Sequence, residues 1–170
     1  MMSVAPVASA GEAAGYYSNS DNYYFLGSLQ SLWMGEGAKA LGLEGNVRGD
    51  DLTAVLEGRL PDGSRLGKEV NGQHVHRPGH DLTFSAPKSV SILALIGNDK
   101  EMVEAHNHAV RVAAGYVEKL ISARDTKDGV TSIVHTGKMV AAAYTHDTSR
   151  NLDPQLHTHL LIANMTEYAG

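Results

Sequence analysis

Three histidines near the carboxyl end of the chain have a spacing that suits a metal ion. His157 and His159 lie two residues apart in a segment that the sequence predicts to be a strand, so both side chains point to the same face. His146 ends the preceding predicted strand, and pairing of the two strands would bring it beside the other two. Buried, hydrogen-bonded histidines could have the same spacing. A cluster of three would instead form a metal site with positions open to a substrate oxygen.

The ligand types limit which ion such a site would hold. The chain has no cysteine, which excludes thiolate ligands, cysteine nucleophiles and disulfides. Three neutral imidazoles suit zinc, nickel, copper or manganese better than magnesium. We expect one divalent ion, with Mg or Mn the working ion because of availability and Zn or Ni as alternatives.

The elements that must position these histidines follow from residue periodicity. Alternating and apolar runs predict strands, and apolar residues at helical spacing predict helices. The last two strands lie in hairpin order, which favours antiparallel pairing. We therefore predict an α+β fold with a central antiparallel sheet flanked by helices. The predicted strands are 3–8 (at a sheet edge or very short, because it contains Pro6), 81–84, 130–135, 138–145 and 156–165. The predicted helices are a short one capped by Asp50 or Asp51 and ended by Gly58, 87–95 and 100–122, and 67–80 is a predicted loop.

Length and charge exclude several classes of protein. A chain of 170 residues can form one domain with a hydrophobic core. A formal net charge of -5 excludes a histone-like binder that works by bulk positive charge. The longest apolar stretch, 90–96, is too short to cross a bilayer, and residues 1–10 lack the basic start of a secretory signal. We expect a cytoplasmic protein without a membrane segment.

Several motifs, in order along the chain, resemble one family. Together with the histidine pattern, they are similar to the N-terminal part of the conjugative relaxases of the TraI/TrwC (MobF) type, which belong to the HUH endonucleases. The middle residue of the HUH motif is Thr158 here and not a large apolar residue. The motifs are Met1-Met2-Ser3, Ala10-Gly11, Tyr16-Tyr17, Asp21-Asn22-Tyr23-Tyr24, 56–63 and 81–91.

The resemblance implies a site- and strand-specific DNA nickase and strand transferase. In this family a tyrosine attacks single-stranded DNA at the transfer origin and forms a 5′-phosphotyrosyl bond. The resemblance assigns that role to Tyr16, whereas Tyr23 or Tyr24 would be a second nucleophile for termination. Tyr17 completes the N-terminal cluster, and each of these tyrosines except Tyr16 could instead be a packing residue. Asp81 is the matching acidic residue, either as the general base or as the carboxylate that orients a ligating imidazole.

Binding of DNA by an acidic chain requires concentrated positive charge. Arg77, Lys88 and Arg150 are the candidate phosphate contacts, although each could be an ordinary surface residue. Trp33, Phe25 and the tyrosines are candidate stacking partners for exposed bases. The resemblance also implies relaxosome accessory proteins and a coupling protein as partners. We expect residues 1–170 to be the N-terminal portion of a single relaxase domain that continues beyond them, with weak DNA affinity by itself.

Two other functions remain open from the residues alone. A different three-histidine metalloenzyme, such as a hydratase or a cupin-like oxygenase, would also place H-x-H on a strand with one distant histidine. It would leave the tyrosine cluster and the segment around Asp81 unexplained. A non-catalytic DNA-binding or replication-initiator module with a degenerate site is the other alternative, and failure to bind metal would favour it.

Overall fold

The structure, a computed structural model, describes residues 1–18 and 31–168. Its centre is a five-stranded antiparallel sheet in the order β1-β5-β9-β8-β2, beside which lie two separate two-stranded ribbons, β3-β4 and β6-β7. The strands are β1 (Met2–Pro6), β2 (Leu32–Met34), β3 (Lys68–Val70), β4 (Gln73–Val75), β5 (Gly79–Ser85), β6 (Ser122–Lys127), β7 (Val130–His135), β8 (Ala141–Thr148) and β9 (Pro154–Ala163). The helices are α1 (Ala10–Ser18), α2 (Glu36–Ala40), α3 (Gly49–Leu56), α4 (Lys88–Leu95) and α5 (Lys100–Glu118). The α+β prediction is confirmed.

The sheet is covered on both faces, which explains the apolar sequence of its middle strands. Alternate residues of β8 and β9 point to opposite faces. Ala142 and Leu161 pack on one face with residues of α1 and α3, whereas Ala141 and Leu160 pack on the other face with Ala114 of α5. The alanines of β8 are small, so the helices can approach the sheet closely on either side.

The long helix α5 follows the predicted pattern at its start and along its buried face. The side chain of Asp99 caps its first turn by accepting hydrogen bonds from the backbone N–H of Glu101 at 3.0 Å and of Met102 at 3.3 Å. Val103, Val110 and Ala114 are buried at helical spacing. The prediction of a helix over 100–122 is confirmed except at its end, where the helix stops at Glu118.

The segment after α5 differs from the prediction. The predicted strand 130–135 is observed as β7, but its partner β6 was not predicted. Ser122 was assigned to the end of the helix, Lys127 to a turn, and the residues between them to no element. Asp128 and Gly129 both have positive φ, 52° and 78°, as the tight turn of a hairpin requires. Asp128-Gly129 is typical of such a turn, but the polar residues before it give no strand pattern, so the sequence did not indicate the partner of β7.

Three-residue strands also escaped prediction. The predicted loop 67–80 contains β3 and β4, whose residues are all exposed, and β2 was not predicted. Such short strands give no alternating pattern long enough to detect. The edge position of β1 is confirmed, since β1 is the first strand of the sheet order among the described residues and pairs there with β5.

Candidate metal and nucleophile site

The pairing of β8 with β9 brings the three predicted histidines together. His146 lies opposite His157, and Tyr144 lies opposite His159. The ring centroids of the three imidazoles are 5.1 to 5.4 Å apart. One ring nitrogen from each residue lies within 4.8 Å of the others. This is a group of ligand atoms that one metal ion can reach.

Burial keeps two of these imidazoles in the form that binds metals. His146 is only 6% exposed, and burial, followed by the neighbouring His159 and His157, lowers its pKa to about 4. Burial is also the main cause that lowers the pKa of His157. Neutral imidazole has a lone pair for a metal, so both residues are in the ligand form at neutral pH.

The other ring nitrogens of two histidines are already engaged. Nδ1 of His157 donates to the carbonyl oxygen of Gln155 at 2.8 Å. Nδ1 of His159 donates to Oδ2 of Asp81 at 2.8 Å, with the Thr83 hydroxyl 3.2 Å from the same nitrogen. Such outer contacts fix the orientation of a ligating imidazole and leave Nε2 free to point at the metal. The donor set therefore fits a metal ion.

The carboxyl group of Asp81 is held as a carboxylate. Burial raises its pKa, but hydrogen bonds from His159, Tyr17 and Thr83 outweigh that effect, and the pKa is lowered. Thr83 was not a sequence candidate. Its position two residues after Asp81 on the same strand face was the available signal.

Helix α1 carries the two tyrosines to the histidines. Ser9 begins the helix by accepting a hydrogen bond from the backbone N–H of Glu12 at 3.2 Å. Ala10, Ala13 and Ala14 form its buried face, at a spacing of three and four residues. Because this face packs on the sheet, the last turn of α1 places Tyr16 and Tyr17 against the histidine cluster.

The two tyrosines have different environments. The ring of Tyr17 lies 4.9 Å from that of His159, and its hydroxyl donates to Asp81. Burial, together with Asp81, raises the pKa of Tyr17, so its phenol stays protonated. Tyr16 is 57% exposed, contacts Tyr17 edge-on at 4.9 Å and lies 6.5 Å from the ring of His146. Tyr16 is thus the phenol that an incoming substrate can reach.

The candidate phosphate contacts occupy different places. Arg150 is exposed in the connection between β8 and β9, next to the histidine end of that hairpin. Lys88 begins α4, and its Nζ donates to the carbonyl oxygen of Pro154 at 3.0 Å. Arg77 precedes the Gly79 end of β5, whereas His157 pairs with Ser85 at the other end. The length of the strand separates those ends by about 20 Å, so the structure does not bring Arg77 to the histidines.

The candidates for the second nucleophile and for base stacking are not placed at the site. Tyr23, Tyr24 and Phe25 lie outside the described residues. Trp33 is 7% exposed and belongs to the hydrophobic core, so the interpretation of this residue as a stacking platform for bases is wrong. Its side chain belongs to the same buried cluster as residues of α1 and α3.

Comparison with known protein families decides where the chain belongs. The family profile of the TrwC relaxase matches residues 10–170. The chain belongs to the TrwC relaxase family. This result confirms the resemblance that the motifs indicated.

Relatives of this relaxase chain are longer than the chain itself. It is 54% identical over 170 residues to the multifunctional conjugation protein TraI of Escherichia coli strain K12 and 53% identical to a second Escherichia coli TraI. The alignment covers 100% of this chain and 10% of each relative. The chain therefore spans about a tenth of the length of the curated relatives that it matches.

Solved relaxase structures have the same fold. The metal-bound structure of conjugative relaxase TrwC in complex with oriT DNA matches with a TM-score of 0.87 and 40% identity, over 99% of this chain and 58% of that one. A copper-bound TrwC complex with oriT DNA gives a TM-score of 0.88 at 40% identity, over 99% and 59%. Among the described residues of the present chain, no helix has the length and apolar character needed to span a membrane.

Proposed function

We propose that this chain is the catalytic N-terminal part of a site- and strand-specific DNA relaxase. It would nick single-stranded DNA at the transfer origin of a conjugative plasmid and later rejoin it. The observation that carries the proposal is the exposed Tyr16 beside a cluster of three histidines that one metal ion can reach, with Asp81 bound to Nδ1 of His159. Membership of the TrwC relaxase family and relatives solved with oriT DNA support the same reaction.

The metal of the proposed enzyme is one divalent ion held by His146, His157 and His159. Such an ion supplies positive charge that polarises the scissile phosphate and stabilises the charge that develops on its oxygens. TrwC has been solved in metal-bound and copper-bound forms, which supports metal binding in this family. Mg or Mn remains our proposal for the working ion, with Zn or Ni as alternatives.

The nucleophile of the proposed reaction is the hydroxyl oxygen of Tyr16. Its bond to phosphorus forms while the bond from phosphorus to the 3′ oxygen breaks, and the 3′ oxygen leaves with a proton. The DNA 5′ phosphate stays on Tyr16, so the energy of the phosphodiester is kept for rejoining. Tyr17 is unsuited to the first attack because its phenol is bound to Asp81 and held protonated. Tyr23 or Tyr24 stays our candidate for the second nucleophile.

The contacts of Asp81 support its role as the orienting carboxylate. It accepts from Nδ1 of His159 and from the hydroxyl of Tyr17, and a base for Tyr16 would first have to exchange one of these donors. Tyr17 then serves to hold this carboxylate and to pack against Tyr16. The alternative role of Asp81 is that of the general base that accepts the proton of Tyr16, and Asp81→Asn distinguishes the two roles.

The proposed partner is single-stranded DNA next to a recognition hairpin. One of the solved TrwC structures contains a 27-mer DNA that comprises the recognition hairpin and the cleavage site. Arg150 and Lys88 lie closest to the histidine end of the sheet among the proposed phosphate contacts, and Arg77 would contact a more distant part of the DNA. We also propose that the protein acts in the cytoplasm, with relaxosome accessory proteins and a coupling protein as partners. We also propose that the relaxase domain continues past this chain, so the chain alone binds DNA weakly.

The test is to trap the covalent intermediate. The full relaxase domain is incubated with Mn²⁺ and a single-stranded oligonucleotide from its own transfer origin, and adducts are resolved on a denaturing gel and located by mass spectrometry. We expect an adduct on Tyr16 that chelator, Tyr16→Phe or His157→Ala abolishes, whereas Tyr116→Phe, a change at an exposed tyrosine of α5, is the control that retains the adduct at Tyr16.

The other outcomes separate the alternatives. Bound metal without an adduct would move the interpretation to a different three-histidine metalloenzyme. DNA binding without metal and without an adduct would indicate an initiator-like module.

A further inference from the structure

Thr158 lies between two of the candidate ligands, but its side chain points away from them. It is 2% exposed on the face of the sheet that α5 covers. Its Oγ1 lies 2.9 Å from Nε2 of His106 and 2.9 Å from Oγ1 of Thr145. A chain of three polar groups therefore lies directly behind the histidine cluster.

This network joins three elements at the register of the histidines. His106 belongs to α5, Thr145 immediately precedes His146 in β8, and Thr158 separates His157 from His159 in β9. Thr145 pairs directly with Thr158, and the next pair is His146 with His157. Both threonines of the network are therefore immediate sequence neighbours of candidate metal ligands.

The strand pairing is least regular at this place. The register of β8 against β9 shifts between His146 and Thr148, so Thr145–Thr158 is one of the last regular pairs before the irregularity. A slip of one residue would turn every side chain to the opposite face of the sheet. It would also separate two buried hydroxyls, and leaving a buried hydroxyl without a partner is unfavourable. The network therefore penalises the slipped register.

The hydrogen bonds can be satisfied without a charge. Each threonine has one hydroxyl proton and can also accept, so a single direction of donation runs through both links. His106 closes the chain as donor or acceptor according to its tautomer. A side-chain amide at this position could replace either function, whereas an aliphatic side chain could replace neither.

We propose that the network of His106, Thr158 and Thr145 positions the histidine-bearing strands for metal binding. The inference rests on the proposed metal site. His106 is a positioning residue in this scheme, and it contacts neither the metal nor the DNA. The use of threonine in the middle of the H-x-H motif follows from it, since an apolar residue there would pack but could not tie α5 to β8 and β9.

The test compares metal affinity with fold stability in four variants. Thr158→Val and His106→Leu remove a hydrogen bond at nearly constant volume, His106→Gln keeps an amide partner, and His108→Leu alters an exposed histidine of the same helix. Binding of Mn²⁺ alone is measured by calorimetry, and the metal-free thermal midpoint is measured by circular dichroism. We expect Thr158→Val and His106→Leu to weaken Mn²⁺ binding by about 3- to 10-fold, somewhat less than loss of a direct partner of a ligand. We expect His106→Gln and His108→Leu to stay within about twofold of wild type.

A second readout does not need the metal. The imidazole nitrogen and proton signals of His157 and His159 in metal-free protein should shift in Thr158→Val and His106→Leu but not in His108→Leu. Unchanged Mn²⁺ affinity and unchanged imidazole signals, with only a lower thermal midpoint, would overturn the inference and leave the network a purely structural role. Failure of the wild-type protein to bind Mn²⁺ would overturn the metal site itself, and the inference with it.

Discussion

Two antiparallel strand pairs of this molecule look alike in topology but differ in their surroundings. Hairpin β8–β9 lies in the middle of the sheet, with residues 141–147 of β8 all buried, whereas ribbon β6–β7 stands apart from the sheet and is mostly exposed. The candidate ligands are on the buried hairpin. A metal site needs side chains held to within about 0.5 Å, and a hairpin packed on both faces can provide that rigidity.

The largest effect on stability should follow from a substitution that leaves a cavity beneath hairpin β8–β9. Leu160 is fully buried on the α5 face, and Leu160→Ala should lower the free energy of unfolding by about 2–5 kcal/mol, because it loses apolar contacts and leaves a cavity. Urea unfolding of the metal-free protein measures the change. A loss below about 1 kcal/mol would show that the hairpin is not packed as tightly as described.

A smaller effect should follow from the carboxylate behind the histidines. Asp81→Asn keeps the shape of the side chain but weakens the hydrogen bond that orients His159, so Mn²⁺ affinity should fall by about 10- to 100-fold. Calorimetry with Mn²⁺ measures the affinity, and Thr126→Val in ribbon β6–β7 is the matched polar control that should leave it unchanged. Cleavage lost while Mn²⁺ affinity is retained would instead assign Asp81 the role of general base.

Acid should destabilise the protein through the buried histidines around hairpin β8–β9. Burial lowers the pKa of His106 and of His146 to about 4, below the value of about 6.5 that they have when unfolded. The unfolded chain therefore binds more protons between these values, and the free energy of unfolding should decline as the pH falls from about 6.5 to about 4. Urea unfolding across this range, with chelator present, measures the decline.

The contribution of His106 to the acid-dependent loss of stability can be measured by substitution. His106→Gln should reduce the acid-dependent loss by roughly 1–2 kcal/mol, after allowance for partial solvent screening. A pH dependence that is the same in His106→Gln and wild type would contradict the burial of His106. His108→Leu is the control on the exposed side of α5.

The smallest effect should come from the ribbon. Ile133 in β7 is 73% exposed, so Ile133→Thr removes little buried surface and keeps the β-branched shape that strands favour. We expect the free energy of unfolding to change by less than about 0.5 kcal/mol, measured as for Leu160→Ala. A loss comparable to that of Leu160→Ala would show that the ribbon packs against other parts of the protein and is not peripheral.

The same contrast explains which parts of the fold could be predicted. Strands β5, β8 and β9 have apolar or alternating runs of at least five residues, and α5 has a continuous buried face, so their patterns were readable. Ribbon β6–β7 lacks a buried face, so β6 was not predicted, although the strand 130–135 that forms β7 was. Helix α2 and strand β2 are too short for periodicity to reveal.

Some features of the candidate site could likewise be predicted from the sequence, and others could not. Residue type and the spacing of two between His157 and His159 predicted that these side chains share a face, and the position of His146 predicted the third member. That Tyr17 and not Tyr16 is bound to Asp81 could not be predicted, since adjacent tyrosines are equivalent until the end of α1 is oriented over the sheet. The hydrogen bond between His106 and Thr158 joins residues 52 positions apart, which no local pattern encodes.

The sequence by itself determined the ligand types, the family and the strands that carry the histidines, because side-chain chemistry and the twofold period of a strand are local properties. Only the tertiary structure decided which phenol is exposed, which carboxylate contact holds His159 and what lies behind Thr158. Those features depend on how helices α1 and α5 pack against opposite faces of one sheet, and that packing is set by contacts between distant parts of the chain.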